Sequence, residues 1–130
     1  MKARYPQVTM NITMLKCKIH NAIVTGTDTR YEGSIVVDEA LMEEVGLHVW
    51  EKVLVANVNT GDRFETYAIK GGRGSGEIQL NGATARLGQV GDRVIIFAFV
   101  SIPEREAGTF SPKIVTLDEK NRVVQRTFAR

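Results

Sequence analysis

The sequence predicts a mainly β protein, a small closed barrel of short strands with one or two short helices. Three observations carry this expectation. Apolar and polar residues alternate over short stretches such as 52–57, where Val53 and Val55 share a face. Turn signals recur at close intervals, among them Asn59-Thr60-Gly61-Asp62 and Asn81-Gly82. The chain has 130 residues, enough for one core and too few for two. Many short strands in so small a domain leave sheet edges open unless the sheet closes on itself.

The elements follow in order. Residues 1–8 are polar and carry Pro6, so residues 1–11 are expected to be a flexible extension of a single domain spanning 1–130. Residues 12–19 and 21–25 read as strands, and 34–37 as a short strand after a turn. Asp38 is a natural N-cap for a helix over 39–45, with Leu41, Met42 and Val45 at helical spacing and Gly46 as the stop. Strands 52–57 and 64–69 flank the Asn59–Asp62 turn. Gly71, Gly72, Gly74 and Gly76 mark a loop, 78–80 a strand, and Asn81-Gly82 a turn into a short helical piece ending near Gly88. The run 94–100 is the most apolar and reads as a buried strand. The tail after Pro103 is polar, with a weaker strand over 113–117.

Composition excludes several classes of function. Hydrophobic residues are 43% and charged residues 25%, the balance of a globular protein. The net charge of +2 is small and its charges are interspersed, so neither nucleic acid nor an anionic membrane is an expected partner. No apolar run has the length of a membrane span, and no signal-peptide core follows the start. Cys17 is alone, which excludes an internal disulfide and points to a reducing cytoplasm. Cys17, His20 and His48 have no metal-ligand spacing, so no metal is expected. The loop Gly71-Gly72-Arg73-Gly74-Ser75-Gly76 lacks the Lys-Ser or Lys-Thr pair of a phosphate loop and reads as a hairpin loop.

Gly33-Ser34 stands directly before a strand, in the setting Tyr31-Glu32-Gly33-Ser34. As a dipeptide it is a plain turn, and Gly74-Ser75 is a second example. Four segments in order change its meaning. Met14-Leu15-Lys16-Cys17-Lys18-Ile19-His20, Tyr31-Glu32-Gly33-Ser34, the run from Asn57 through Arg63-Phe64-Glu65-Thr66-Tyr67-Ala68-Ile69, and Asn81-Gly82-Ala83 followed by Val90-Gly91-Asp92 together resemble the bacterial pyruvoyl-dependent aspartate α-decarboxylases. The resemblance runs from about Met14 to Pro112. It implies a double-psi β-barrel, a homotetramer with active sites shared between subunits, and self-cleavage between Gly33 and Ser34.

What the resemblance implies is chemically coherent. The Ser34 hydroxyl attacks the Gly33 carbonyl and turns the amide into an ester, which a glycine's unusual dihedrals and donors to the developing oxyanion would assist. Elimination and hydrolysis then leave a pyruvoyl cofactor in place of Ser34. Its ketone forms an imine with the substrate amine and acts as an electron sink, so that L-aspartate loses CO2 to give β-alanine for pantothenate and coenzyme A synthesis. By the same resemblance, Thr66 assists cleavage and Tyr67 donates the proton that ends the reaction. Arg63 grips the substrate's side-chain carboxylate, Lys18 adds positive charge, and Asn81, Gly82 and Ala83 hold substrate and pyruvoyl. His20 orients neighbours and Tyr31 packs beside the cleavage site.

The residues alone leave plainer readings open for each. Thr66 is also an ordinary strand threonine, Arg63 a solvated hairpin charge, Lys18 a surface lysine and His20 a structural histidine. Thr66 and Tyr67 point to opposite faces of a regular strand, whereas Lys18 and His20 share one. The chain departs from the family pattern at Ala56, where many members carry Trp, at Thr84, where Ala is usual, and in its N-terminal extension. Ala56 bears on the substrate and leaves open the same chemistry on an aspartate analogue. An unprocessed, non-catalytic barrel that binds a partner is the reading from another class.

Overall fold

In a computed structural model, which describes residues 9–127, the chain forms nine strands and one α-helix. The strands are β1 (Asn11–Ile23), β2 (Gly26–Asp28), β3 (Ser34–Asp38), β4 (Lys52–Asn57), β5 (Arg63–Gly71), β6 (Ile78–Asn81), β7 (Arg93–Pro103), β8 (Lys113–Leu117) and β9 (Val123–Thr127). Helix α1 covers Glu39–Val45, and 3₁₀ segments cover Gly82–Arg86 and Glu104–Thr109.

The strands form one mixed sheet in the order β2-β6-β3-β5-β4-β7-β1-β8-β9. Its curvature follows from connectivity. β1 pairs with β7 near one end of the order, and β2 pairs with β6 at the other. Only Val24 and Thr25 separate these two strands, so one continuous segment ties the two ends of the sheet together. The Val24 N–H donates to the Asp92 carbonyl at 2.9 Å, and the Thr25 N–H to the Ile78 carbonyl at 2.7 Å. The result is the small β-barrel that the alternation and turn spacing predict. Inward-facing residues of successive strands make one core: Cys17 and Ile19, Ile35 and Val37, Val53 and Val55, Ile78 and Leu80, Val94 and Ile96, Val115 and Leu117. Alternate residues on the same strands form the outer face. Burial pushes the Cys17 thiol up to about 11, so this cysteine is an inert core side chain.

Helix α1 has the caps the sequence predicts. Asp38 accepts the Ala40 N–H at 2.8 Å, and Gly46 closes the C-terminus at φ 71°. Leu41, Met42 and Val45 face the core. Asp38 does more than cap. Its carboxylate also accepts the N–H groups of Gly74 and Gly76, each at 2.8 Å, which stitches the glycine loop onto the barrel. Burial alone would raise this carboxyl, but the three N–H donors and Arg122 hold it below the usual carboxylate range.

Three elements go beyond the sequence reading. β2, Gly-Thr-Asp, has no apolar signal and exists because it pairs with β6. β9 is a mostly exposed edge strand. The 3₁₀ segment Glu104–Thr109 buries nothing that a periodicity could reveal. Of the expected extension, residues 1–8 lie outside the described residues. Asn11 already pairs with Pro103, and the Met10 carbonyl accepts the Glu104 N–H at 2.7 Å, so the ordered sheet begins before position 12. No helix among the described residues is long and apolar enough to cross a membrane.

Candidate active site

Ser34 opens β3 and is only 2% exposed. β3 lies between β5 and β6, and Ser34 pairs with Asn81 across the antiparallel ladder. The Asn81 side-chain amide donates to Ser34 Oγ at 3.1 Å. The Asn81 amide oxygen accepts from Gln79 Nε2 at 2.8 Å, which fixes the amide's orientation. A buried serine hydroxyl is thus aimed at a buried amide from the neighbouring strand. The Ser34 carbonyl lies 3.3 Å from Thr84 Oγ1, which donates more closely, at 2.7 Å, to the Asn81 carbonyl. Thr84 is buried, and it joins the turn after β6 to the first residue of β3.

Gly82 shapes the other side of the junction. It sits at φ 65°, a conformation that glycine takes freely. A Cβ there would lie 2.7 Å from the Gly33 nitrogen, 2.8 Å from Gly33 Cα and 2.8 Å from the Tyr31 carbonyl oxygen. The turn is therefore pressed against the backbone of Tyr31–Gly33, with no room for a side chain. A Cβ on Gly33 itself would point into open space. The peptide between a half-exposed glycine and a buried serine joins a free loop to a fixed strand.

A cleft of about 330 Å³ opens over Ser34, lined by Tyr31, Glu32, Trp50, Tyr67, Ile69 and Asn81. Tyr31 is 61% exposed at its rim. Tyr67 reaches the cleft from β5. The parallel β3–β5 register begins at Ile35 opposite Ala68, so Ser34 and Tyr67 each stand one step before that pair on adjacent strands. Thr66 lies elsewhere. It pairs with core residue Val53 in an unbroken β4–β5 register, on the face that carries Phe64 and Ala68. The strand is regular here, so Thr66 faces inward and Tyr67 outward. Ala83, exposed in the 3₁₀ turn, does not line the cleft.

Trp50 is a cleft residue that the sequence reading missed. It is 71% exposed, and its ring centroid lies 5.5 Å from that of Tyr67 at an interplanar angle of 32°. Its backbone has φ 76°, which costs a bulky residue about 1–2 kcal/mol. The sequence signal was a lone Trp in the short link between α1 and β4, which says nothing about φ.

The basic residues form a second group. Lys18 and His20 lie on the outer face of β1, Arg63 at the start of β5. Lys18 Nζ is 5.8 Å from the centroid of the Phe97 ring. His20 Nδ1 is buried without a hydrogen-bond partner, and burial, followed by the neighbouring Lys18 charge, lowers the pKa of the imidazole. Arg63 is exposed and pairs with Ala56, which in turn faces Ile95. None of the three lines the Ser34 cleft. β1 is four strands from β3 in the sheet order, and Arg63 stands at the far end of β5 from Ala68, Ile35's partner. Among the described residues no group of three or more His, Cys, Asp or Glu side chains could hold a metal ion.

Residues 10–124 match the family model described as aspartate decarboxylase. The chain belongs to the aspartate decarboxylase family. It is 55% identical over 116 residues to the aspartate 1-decarboxylase of Caldicellulosiruptor saccharolyticus, covering 89% of this chain and 91% of that one. To the aspartate 1-decarboxylases of Carboxydothermus hydrogenoformans and Halorhodospira halophila it is 52% and 50% identical, over 89% and 90% of this chain and 91% and 93% of theirs. An aspartate decarboxylase fold thus places the Gly33-Ser34 junction, Asn81 and Tyr67 at one cleft, and Lys18, His20 and Arg63 elsewhere on the same outer face.

Proposed function

We propose that this chain is a self-processing aspartate decarboxylase whose Ser34 becomes a pyruvoyl group. The carrying observation is the buried Ser34 hydroxyl under Asn81, at a junction where Gly82 presses on the Gly33 backbone. Ser34 Oγ attacks the Gly33 carbonyl carbon, and the Ser34 nitrogen leaves the amide to give an ester. Loss of a proton from Cα of residue 34 expels the Gly33 carboxylate. The remaining dehydroalanine is hydrolysed with release of ammonia, leaving the pyruvoyl ketone.

The residues around Ser34 fit that group. Asn81 aims an amide donor at the Oγ that departs with the Gly33 carboxylate, Thr84 lies at the carbonyl of residue 34, and among the described residues no carboxylate hydrogen-bonds the serine. The pyruvoyl group supplies an electron sink for loss of a carboxylate next to an amine. The chain's own residues bind and protonate. Tyr67, outward from β5 into the cleft, supplies a hydroxyl that can deliver a proton within it. Arg63 and Lys18 match an acidic substrate, and Arg63 can grip a carboxylate with two parallel hydrogen bonds.

Because Lys18, His20 and Arg63 do not line the cleft of their own chain, we infer that a second copy brings its own three to it. The outer face between them carries Leu54, Phe97 and half-exposed Phe99, an apolar surface suited to contact between copies. A homotetramer with shared sites, working in the cytoplasm, is the assembly we propose. Intact-mass spectrometry tests the reading. Purified protein should contain a fragment ending at Gly33 and a larger one blocked at its start, and Ser34→Ala should leave one uncut chain. Cleavage of the Ser34→Ala protein at the same bond would overturn it.

A further inference from the structure

Trp50 is the single tryptophan of the chain, and nothing about its own burial explains it. Its indole is mostly in solvent, so it contributes little to the core. Its backbone is left-handed, where Asn or Gly would sit with less strain. The surroundings hold this unfavourable conformation firmly. The Trp50 N–H donates to the Ala68 carbonyl at 2.8 Å, and the Ala68 N–H donates to the Glu51 carbonyl at 3.0 Å. The Glu51 carboxylate accepts Lys16 Nζ at 2.7 and 2.9 Å and the His48 N–H at 3.0 Å. Lys16 is free to reach it because a break in the β1–β7 register between Leu15 and Cys17 leaves it unpaired. A β1 bulge, an ion pair and two backbone bonds thus fix the backbone that carries one exposed ring, and that ring packs on Tyr67.

Tyr67 needs such a neighbour. It stands beside Ser34, and its phenol is free to turn about χ1 and χ2 unless packing stops it. A proton donor must be held within hydrogen-bond reach of the atom it serves. We propose that Trp50 is a positioning residue for Tyr67: its indole closes one side of the cleft and restricts the phenol to orientations that keep the hydroxyl over Ser34. This rests on the reading of Tyr67 as the proton donor.

The test uses Trp50→Asn, Trp50→Phe and Tyr67→Phe in the full chain. Trp50→Asn should process normally and melt at or above the wild-type temperature, because Asn tolerates φ 76°. Its KM should stay near wild type while kcat falls roughly 10-fold, the scale of a misplaced group. Trp50→Phe, which keeps an aromatic face, should restore most of that kcat. A second readout is independent of turnover. In the uncut Ser34→Ala chain labelled with fluorotyrosine, the ¹⁹F resonance lost in Tyr67→Phe should shift and sharpen in Trp50→Asn, as the ring current goes and the phenol moves faster. Unchanged kcat and an unchanged resonance in Trp50→Asn, with Tyr67→Phe impaired, would overturn the positioning role alone. A lower melting temperature with equal losses in Trp50→Asn and Trp50→Phe would make Trp50 merely structural. Full turnover in Tyr67→Phe would overturn the proposal together with the reading beneath it.

Discussion

Gly82→Ala separates the geometry of the cleavage junction from the stability of the barrel. Two costs arise from one methyl group. Alanine at φ 65° costs about 1–2 kcal/mol of backbone strain. Its Cβ also falls 2.7 Å from the Gly33 nitrogen, whereas ordinary contact begins near 3.4 Å, so turn and junction must part by about 0.7 Å. Crowding of that kind in packed surroundings costs about 1–3 kcal/mol more. A domain stable by about 5–15 kcal/mol survives the combined loss, so the variant should fold. The cleavage should suffer more than the fold, because moving Gly33 by ~0.7 Å relative to Ser34 Oγ misplaces the attacked carbonyl, and errors near that size cost up to about 100-fold in rate. Gly91→Ala is the control. Gly91 has φ 95° with open space where the Cβ would go, so it incurs the strain without the collision. The assay is a time course of precursor and fragments by intact mass, with melting temperatures alongside. Gly82→Ala should process far more slowly than Gly91→Ala. Equal processing rates in the two variants would refute the claim that the Gly82 turn shapes the scissile junction.

Two further outcomes follow from the same geometry. Arg63→Lys keeps the charge but loses the planar fork, so aspartate turnover should fall by about 10-fold or more while chain cleavage, at a cleft that Arg63 of the same chain does not line, proceeds normally; steady-state kinetics and intact mass check this. The Asp38 carboxyl is held below its unfolded value of about 3.9, so its stabilisation is present above that pH and is lost as pH falls through the folded value. Asp38→Asn should therefore melt lower at neutral pH by the equivalent of about 1–3 kcal/mol and lose less on acidification to pH ~3 than the wild type, as thermal melts across pH would record.

The sequence made most of the fold legible, because its strands alternate and α1 carries both caps. Asp38, Gly46 and the Val53/Val55 face are local signals, and local signals survive translation into structure. β2 and β9 were hidden for the opposite reason. Gly26–Asp28 is a strand only because β6 lies beside it, and Val123–Thr127 only because β8 does. The site divides along the same line. Gly33-Ser34 and Asn81-Gly82 could be named from sequence, but their contact joins positions 47 residues apart and depends on the β3–β6 ladder. Trp50 was invisible because its meaning lies in a backbone angle and a neighbour on β5. The opposed faces of Thr66 and Tyr67 did follow from alternation, and the unbroken β4–β5 register keeps them opposed.

The position of the proposed cut also explains how a chain can break there and keep its fold. Self-cleavage asks for a nucleophile that stays still and a partner strand end that can leave. Ser34 is held by its pairing with Asn81 on β6 and lies near Thr84, and the β5 ladder takes hold one residue later at Ile35, all on the carboxyl side of the bond. Gly33 belongs to an exposed loop touched by the Gly82 turn, so its new carboxylate can withdraw without dragging on β3. The amino-terminal fragment would nevertheless stay in place. β1 pairs with both β7 and β8, β2 pairs with β6, and Cys17, Ile19, Ala22 and Val24 are sealed in the core. Cutting one loop bond removes none of those contacts, and in the native state it releases only local chain entropy. It does remove the covalent tether from the unfolded state, which makes refolding of the cut protein a two-chain reaction. The barrel therefore has to form before the bond breaks, because the close approach of Gly82 to the Gly33 backbone that shapes the junction exists only once β3 and β6 have paired.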